Sequence, residues 1–175
     1  MDDRLELIVG PYRAALHRTA SIATLPGEWF VHPVIGAVTL ASLLATRGGP
    51  APRFALPLAA ASLGATSAHH AVKAVYRRAR PEIALERNKT EASYPSGHTT
   101  NVTAVLSTCG YLLVREGIVP PSSAAIVVAF AVATGASRVV LGWHWSSDVV
   151  GGWLTGIFVA SLSASWYEAL RTVGG

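Results

Sequence analysis

Cysteine occurs once in the 175 residues, at position 109. A lone thiol excludes a disulfide framework and any metal site built on paired cysteines. Lysine is almost as scarce: Lys73 and Lys89 are the two, so arginine carries the cationic excess. Charge of either sign is thin, at 14% of residues, where an ordinary soluble domain carries about a quarter. That shortage argues against a soluble globular enzyme. No internal repeat or low-complexity tract is visible. Residues 1–20 carry Arg13, His17 and Arg18 without a clean apolar stretch, so no secretory signal is expected there. What the chain has instead is apolar content of 51% and a mean hydropathy of +0.40. A net charge of +4 points to anionic partners. The apolar runs favour anionic lipid or phosphate over nucleic acid, and no nucleic-acid partner is expected.

A membrane helix needs roughly 20 largely apolar residues. Five segments approach this: Trp29 to Thr46, Phe54 to Val75, Gly97 to Val114, Ala124 to Val140, and Val149 to Leu170. The third is the most polar, with Thr99, Thr100, Asn101, Thr103, Ser107 and Thr108, and is predicted to face other helices rather than lipid. The linkers at 47–53 and 115–122 are short and rich in Gly and Pro.

The N-terminal 28 residues differ. Leu5, Ile8, Val9, Tyr12, Leu16 and Thr19 follow helical spacing, with Glu6, Arg13 and His17 on another side. Gly10-Pro11 should kink or restart the helix. Two readings are open here: an amphipathic helix lying at the interface, or a degenerate sixth span. Residues 29–175 form the main domain, and the fold class is an all-α integral-membrane bundle of five to six transmembrane helices. Gly152, Gly156, Ala160 and Ala164 recur every fourth residue. Packing within the bundle is the favoured reading of that ridge, with an oligomer contact through the Gly152/Gly156 face as the alternative.

Five alternating spans bring three polar clusters to one membrane side. The first is 73–81, KAVYRRARP, where a continuing helix would put Lys73, Arg77 and Arg80 on one face and end at Arg80, before Pro81. Taken alone it is a basic flank anchoring a span. The second is 94–100, YPSGHTT. Ser96 can cap the next helix, whose first N–H groups form an anion site beside His98. Alone it is an ordinary helix start. The third is 137–148, SRVVLGWHWSSD. His144 and Asp148 are four apart, so a carboxylate can fix the histidine tautomer. Alone, Asp148 is a plain helix cap, Arg138 a snorkelling cation, and Trp143 and Trp145 an aromatic belt. One phosphate site explains all three together. Lys and Arg hold phosphate oxygens, and phosphoryl transfer needs mainly positioning and charge stabilisation.

At these residues the sequence resembles a known family. Lys73-x6-Arg80-Pro81, Pro95-Ser96-Gly97-His98 and Ser137-Arg138-x5-His144-x3-Asp148 are similar to the three-part signature of the type 2 phosphatidic acid phosphatase superfamily. The resemblance covers about residues 70 to 155. It implies His144 as a nucleophile forming phosphohistidine, Asp148 as its orienter, and His98 as acid to the leaving oxygen. It implies Lys73, Arg80, Ser96, Gly97 and Arg138 as phosphate ligands, and neither metal nor cofactor. Arg77 is a secondary headgroup contact in this reading, and His69 and His70 pack within the bundle. Membrane members usually have six spans, and Pro often stands where this chain has Ser146.

The resulting expectation is an integral-membrane enzyme, a metal-independent lipid phosphate phosphatase. Its substrate would be a phosphomonoester or diphosphate on a polyprenyl or glycerolipid, and its location the bacterial cytoplasmic membrane. Two other classes compete: a vanadate-dependent oxidase-like relative, and a non-enzymatic lipid-binding membrane protein. Lys73, Arg77, Arg78, Arg80, Arg87, Lys89 and Arg138 share the site face, against Arg47, Arg53, Arg115 and Arg171 opposite. The positive-inside rule puts that face in the cytoplasm, whereas the family resemblance leans to the outer face.

Overall fold

The computed structural model describes residues 8–87 and 91–173, and every regular element among them is helical. A short turn at Gly10–Tyr12 leads into α1 (Arg13–Ala23). A second turn at Leu25–Gly27 precedes α2 (Val31–Arg47). Then follow α3 (Pro52–Tyr76), the short α4 (Glu82–Glu86), α5 (Gly97–Arg115), α6 (Ala124–Val140) and α7 (Ser146–Val173). The five apolar segments are the five long helices, to within three residues at either end. Leu5, Glu6 and Lys89 lie outside the described residues.

Two helical stretches, Pro121–Val140 and Ser146–Thr172, are long and apolar enough to cross a membrane on composition alone. Val31–Arg47 is apolar but shorter. The expected five to six spans therefore reduce to two by that criterion. α3 and α5 fall short because they carry the polar residues of the bundle interior.

α5 is central and packs against α3 and α7. Its Thr99, Thr100, Asn101, Thr103 and Thr108 are all buried, as the polarity of that segment predicts. Thr100 and Thr108 return their hydroxyls to carbonyls one turn back, at Ser96 and Ala104, which satisfies them without water. The apolar core sits at the end where α3 begins, around Leu43, Phe54, Leu58, Leu112 and Tyr167. The middle is built from small side chains, Ala65, Ala104 and Val159.

α7 reaches α5 closely because of its glycines. A Cβ at Gly156 would stand 2.6 Å from Thr103 Cβ and 2.8 Å from Thr100 O. One at Gly152 would stand 2.9 Å from Ser96 O. The Gly152/Gly156 face is thus filled by α5 of the same chain and is not open to a second copy.

The helix restarts after Gly10-Pro11, as expected. α1 lies along α6, with Arg13 Nε donating to Val140 O (2.8 Å) and Thr134 Oγ1 donating to Ala23 O (3.1 Å). Ile8, Tyr12, Leu16 and Ile22 remain exposed.

α3 ends earlier than the sequence predicts. It stops at Tyr76, and Arg77 takes a left-handed conformation (φ 44°). The single helical face through Lys73, Arg77 and Arg80 therefore does not form. Residues 78–80 instead run beside 91–93, where Ser93 N donates to Arg78 O (2.8 Å) and Ser93 Oγ to Ala79 O (3.0 Å). This pairing competes with the last helical turn, and it carries Arg80 inward.

Candidate active site

The end of α3, the start of α5 and the α6–α7 turn meet around one cavity of about 700 Å³. Lys73, Arg80, Gly97, His98, Arg138 and His144 all line it. The fold thus assembles in space what the sequence separates by up to 71 positions.

His144 lies in the five-residue turn between α6 and α7 and is buried. Gly142 makes that turn possible. Its φ is +68°, and a Cβ there would stand 2.2 Å from Ile83 Cγ2. His144 Nδ1 is 3.3 Å from Asp148 Oδ2, one helical turn on. Asp148 is fully buried, and its Oδ2 also accepts the Trp145 amide (2.9 Å). This arrangement assigns the Nδ1 proton to the carboxylate side and leaves Nε2 as the basic nitrogen. Arg80 NH1 donates to Nε2 at 3.3 Å. Burial pushes His144 down to about 3, against the Asp148 hydrogen bond that raises it, with Arg138 and Arg80 lowering it further. The imidazole is therefore neutral at neutral pH, with Nε2 as the ring's accepting nitrogen, in contact with Arg80 in the cavity wall.

The three cations are held from several elements. Lys73 Nζ donates to Ala92 O and, at 3.5 Å, to Ser93 O. Arg80 donates from Nε to Glu91 O (2.8 Å) and from NH1 to Trp143 O (2.9 Å). Arg138 NH1 donates to Thr24 Oγ1 (2.6 Å), and its guanidinium lies 4.3 Å from the Trp143 ring centroid. Arg138 Nε is buried and has no hydrogen-bond partner among the described residues. A buried guanidinium N–H without an acceptor is costly, and an anion beside it removes that cost. Trp143 therefore braces a cation. Trp145 does the same, with Arg78 over its ring at 5.5 Å and its Nε1 donating to Ala79 O (3.0 Å).

Ser96 occupies the N-cap position of α5, but its side chain makes no capping bond. It is fully buried; its Oγ accepts from Thr99 Oγ1 (3.0 Å) and its amide donates to Asp148 O (3.0 Å). Ser96 thus ties the start of α5 to the start of α7. Gly97 allows close approach to α3, since a Cβ there would stand 3.0 Å from His69 Nε2. The start of α5 faces the cavity with backbone N–H groups that have no acceptor within the helix.

Several placements differ from expectation. Arg77 is exposed, bonds its own helix end at Ala74 O (3.0 Å), and does not line the cavity. His69 is buried as expected but lines the cavity wall, and His70 is exposed there rather than packed inside. Two residues were missed. Arg78 NH1 donates to Asp148 Oδ1 (3.0 Å) and to Ser147 Oγ (2.6 Å), so the carboxylate that orients His144 has a cation behind it. Glu28 Oε1 stands 3.2 Å from His98 Nε2. A basic run hides which arginine points inward, and nothing local marks Glu28. Among the described residues no cluster of three or more His, Cys, Asp or Glu could hold a metal ion.

The sequence matches the PAP2 superfamily over residues 54–172. The chain belongs to that family. It is 32% identical over 98 residues to phosphatidylglycerophosphatase B of Bacillus subtilis (strain 168), covering 54% of this chain and 48% of that protein. It is 36% identical over 88 residues to undecaprenyl-diphosphatase of Sulfolobus acidocaldarius, covering 47% of this chain and 37% of that one. The chain therefore matches less than half the length of either relative. Its fold is that of the first transmembrane PAP2-type phosphatidylglycerolphosphate phosphatase of Bacillus subtilis, known from a crystal structure. The TM-score is 0.73 at 23% identity, covering 96% of each chain. Two of this chain's helices are long and apolar enough to cross a membrane.

Proposed function

We propose that this PAP2 protein hydrolyses a phosphomonoester or diphosphate on a lipid, through a phosphohistidine on His144. The observation that carries this reading is the setting of His144 Nε2. It is a neutral ring nitrogen facing a cavity whose wall also bears Lys73, Arg80 and Arg138. In this reading those cations and the start of α5 at Ser96-Gly97 hold the phosphoryl oxygens. Nε2 bonds to phosphorus while the bond from phosphorus to the lipid oxygen breaks. His98 gives its proton to that oxygen, releasing the lipid alcohol, or a lipid monophosphate when the substrate is a diphosphate. Water then attacks phosphorus, the P–N bond breaks, and the proton from water returns to His98 as orthophosphate leaves. Asp148 and Arg78 keep the ring in its tautomer throughout. The residues need no metal for these steps.

A lipid substrate is favoured by what adjoins the cavity. His32 lines both it and an apolar groove of about 400 Å³ walled by Pro33, Gly36, Leu40, Leu58 and Leu63. That groove offers room for the first part of an apolar tail. We place the protein in the bacterial cytoplasmic membrane with α2, α3, α5, α6 and α7 crossing it. Helices of 17 to 28 residues extend about 25 to 42 Å at 1.5 Å per residue. The N-terminal segment 8–23 then lies at the interface, with its exposed Ile8, Tyr12, Leu16 and Ile22 toward lipid.

The test is phosphate release in detergent from a panel: polyprenyl diphosphate, a phosphorylated polyprenyl sugar, phosphatidylglycerophosphate and phosphatidate. At least one is hydrolysed, EDTA leaves the rate unchanged, and His144→Ala lowers kcat by at least about 10⁴-fold. Full activity in His144→Ala, loss with EDTA, or halide oxidation on adding vanadate would each overturn the reading.

A further inference from the structure

The segment joining α1 to α2 lies outside the part of the chain that matches the family, residues 54–172, yet it forms a wall of the cavity through Gly27, Glu28 and Trp29. Its placement is fixed at three points. Thr24 is buried and its Oγ1 accepts from Arg138 NH1 at 2.6 Å. Gly27 is buried against His98, where a Cβ would stand 2.7 Å from His98 Cβ and 2.8 Å from its Cδ2. Glu28 Oε1 stands 3.2 Å from His98 Nε2. The stretch 24–28, built around the short turn Leu25–Gly27, thus touches both an arginine of the anion site and the second histidine of the cavity.

We propose that Glu28 is a positioning residue for His98, holding the imidazole by its Nε2–H so that the charged ring delivers its proton to the leaving oxygen. The proposal rests on the reading of His98 as the acid in phosphoryl transfer to His144. Chemistry gives the reason for a carboxylate at this place. His98 shares its cavity with the cations Lys73, Arg80 and Arg138, and Glu28 is the carboxylate in contact with its ring. A carboxylate in hydrogen-bond contact offsets them. It also selects the ring orientation, as the acid partner does in a catalytic triad. During transfer to phosphorus the Nδ1 proton leaves His98 for the lipid oxygen, while Nε2 keeps its proton and its contact with Glu28. No other bond changes at Glu28.

The test uses leaving groups of different need. Departure of a lipid alkoxide requires a proton, whereas p-nitrophenolate leaves without one. kcat/KM is the readout, because it covers steps only up to phosphoryl transfer to the enzyme. Glu28→Gln keeps the shape and removes the charge. It should lower kcat/KM for the best lipid phosphate of the panel by about 10- to 100-fold, within the range of acid catalysis, and change p-nitrophenyl phosphate by less than about threefold. Glu28→Asp should recover part of the loss. Gly27→Ala, which crowds His98 from the same segment, should show the same selectivity. Equal loss on both substrates, or no loss on the lipid phosphate, would overturn the assignment of Glu28. A wild-type protein that hydrolyses neither substrate would instead overturn the phosphatase reading, and this inference with it.

Discussion

The two ends of the bundle both carry partly buried arginines, and they treat them oppositely. At the end where α3 begins, Arg53 pairs with Glu116, which also accepts from Tyr167 Oη. Nearby, Arg115 pairs with Glu168 at 2.6 Å, and Arg171 reaches Glu168 at 3.5 Å. Cation meets carboxylate, and the site is closed by its own neutralisation. At the cavity end the carboxylate paired with Arg80 is the exposed Glu91 at 3.8 Å; Lys73 and Arg80 direct their hydrogen bonds to backbone carbonyls, Arg138 donates to a hydroxyl, and Arg138 Nε stays buried without an acceptor among the described residues. Carbonyls orient cations without cancelling their charge. The first end is neutralised within the fold; in the proposed function the second receives an anion.

The comparison can be broken most sharply at Arg138. Arg138→Met should lower kcat/KM for a lipid phosphate by about 10² to 10³-fold, the scale of losing a donor aimed at developing charge. Arg53→Met, at the paired end, should leave kcat/KM within about twofold. Similar effects from the two would erase the distinction. A smaller effect is expected at Arg78, which acts through Asp148. Arg78→Gln should reduce kcat about tenfold with KM unchanged, since a loosened orienter alters the reacting geometry rather than binding. A KM effect alone would make Arg78 a substrate ligand instead.

Glu116→Gln sharpens the other side. It leaves Arg53 and Tyr167 without their shared anion and should cost about 1–3 kcal/mol of stability, read as a lower detergent unfolding midpoint, with kcat/KM unaffected. Arg77→Ala is the mildest. The side chain is exposed and bonds its own helix end at Ala74 O, so activity on lipid phosphate in detergent should change by less than about twofold. A larger loss would restore Arg77 as a headgroup contact.

Much of this is legible in the sequence because its signals are local. Apolar runs mark the long helices, and Ser137-Arg138, His144 and Asp148 keep a spacing that a turn and one helical turn can close. The misreadings came where two distant segments compete for the same groups. α3 was expected to run on to Arg80, but pairing of 78–80 with 91–93 ends it at Tyr76. Ser96 was expected to cap α5, but its amide and hydroxyl serve Asp148 O and Thr99. The small-residue ridge allowed two partners, and α5 takes it.

By itself the sequence determined that the chain is helical, that its candidate site residues fall in three polar clusters, and that alternation of the long helices brings these clusters to one end. Periodicity and composition suffice for that, because each helix must bury one face whatever its neighbour. Only the tertiary structure decided which arginine supports Asp148 and which faces solvent. Only it brought Glu28 to His98 across 70 positions. The physical reason is that a side chain's partner is set by the packing of whole helices and turns, and no local pattern in a run such as Arg77-Arg78 encodes where each guanidinium will point.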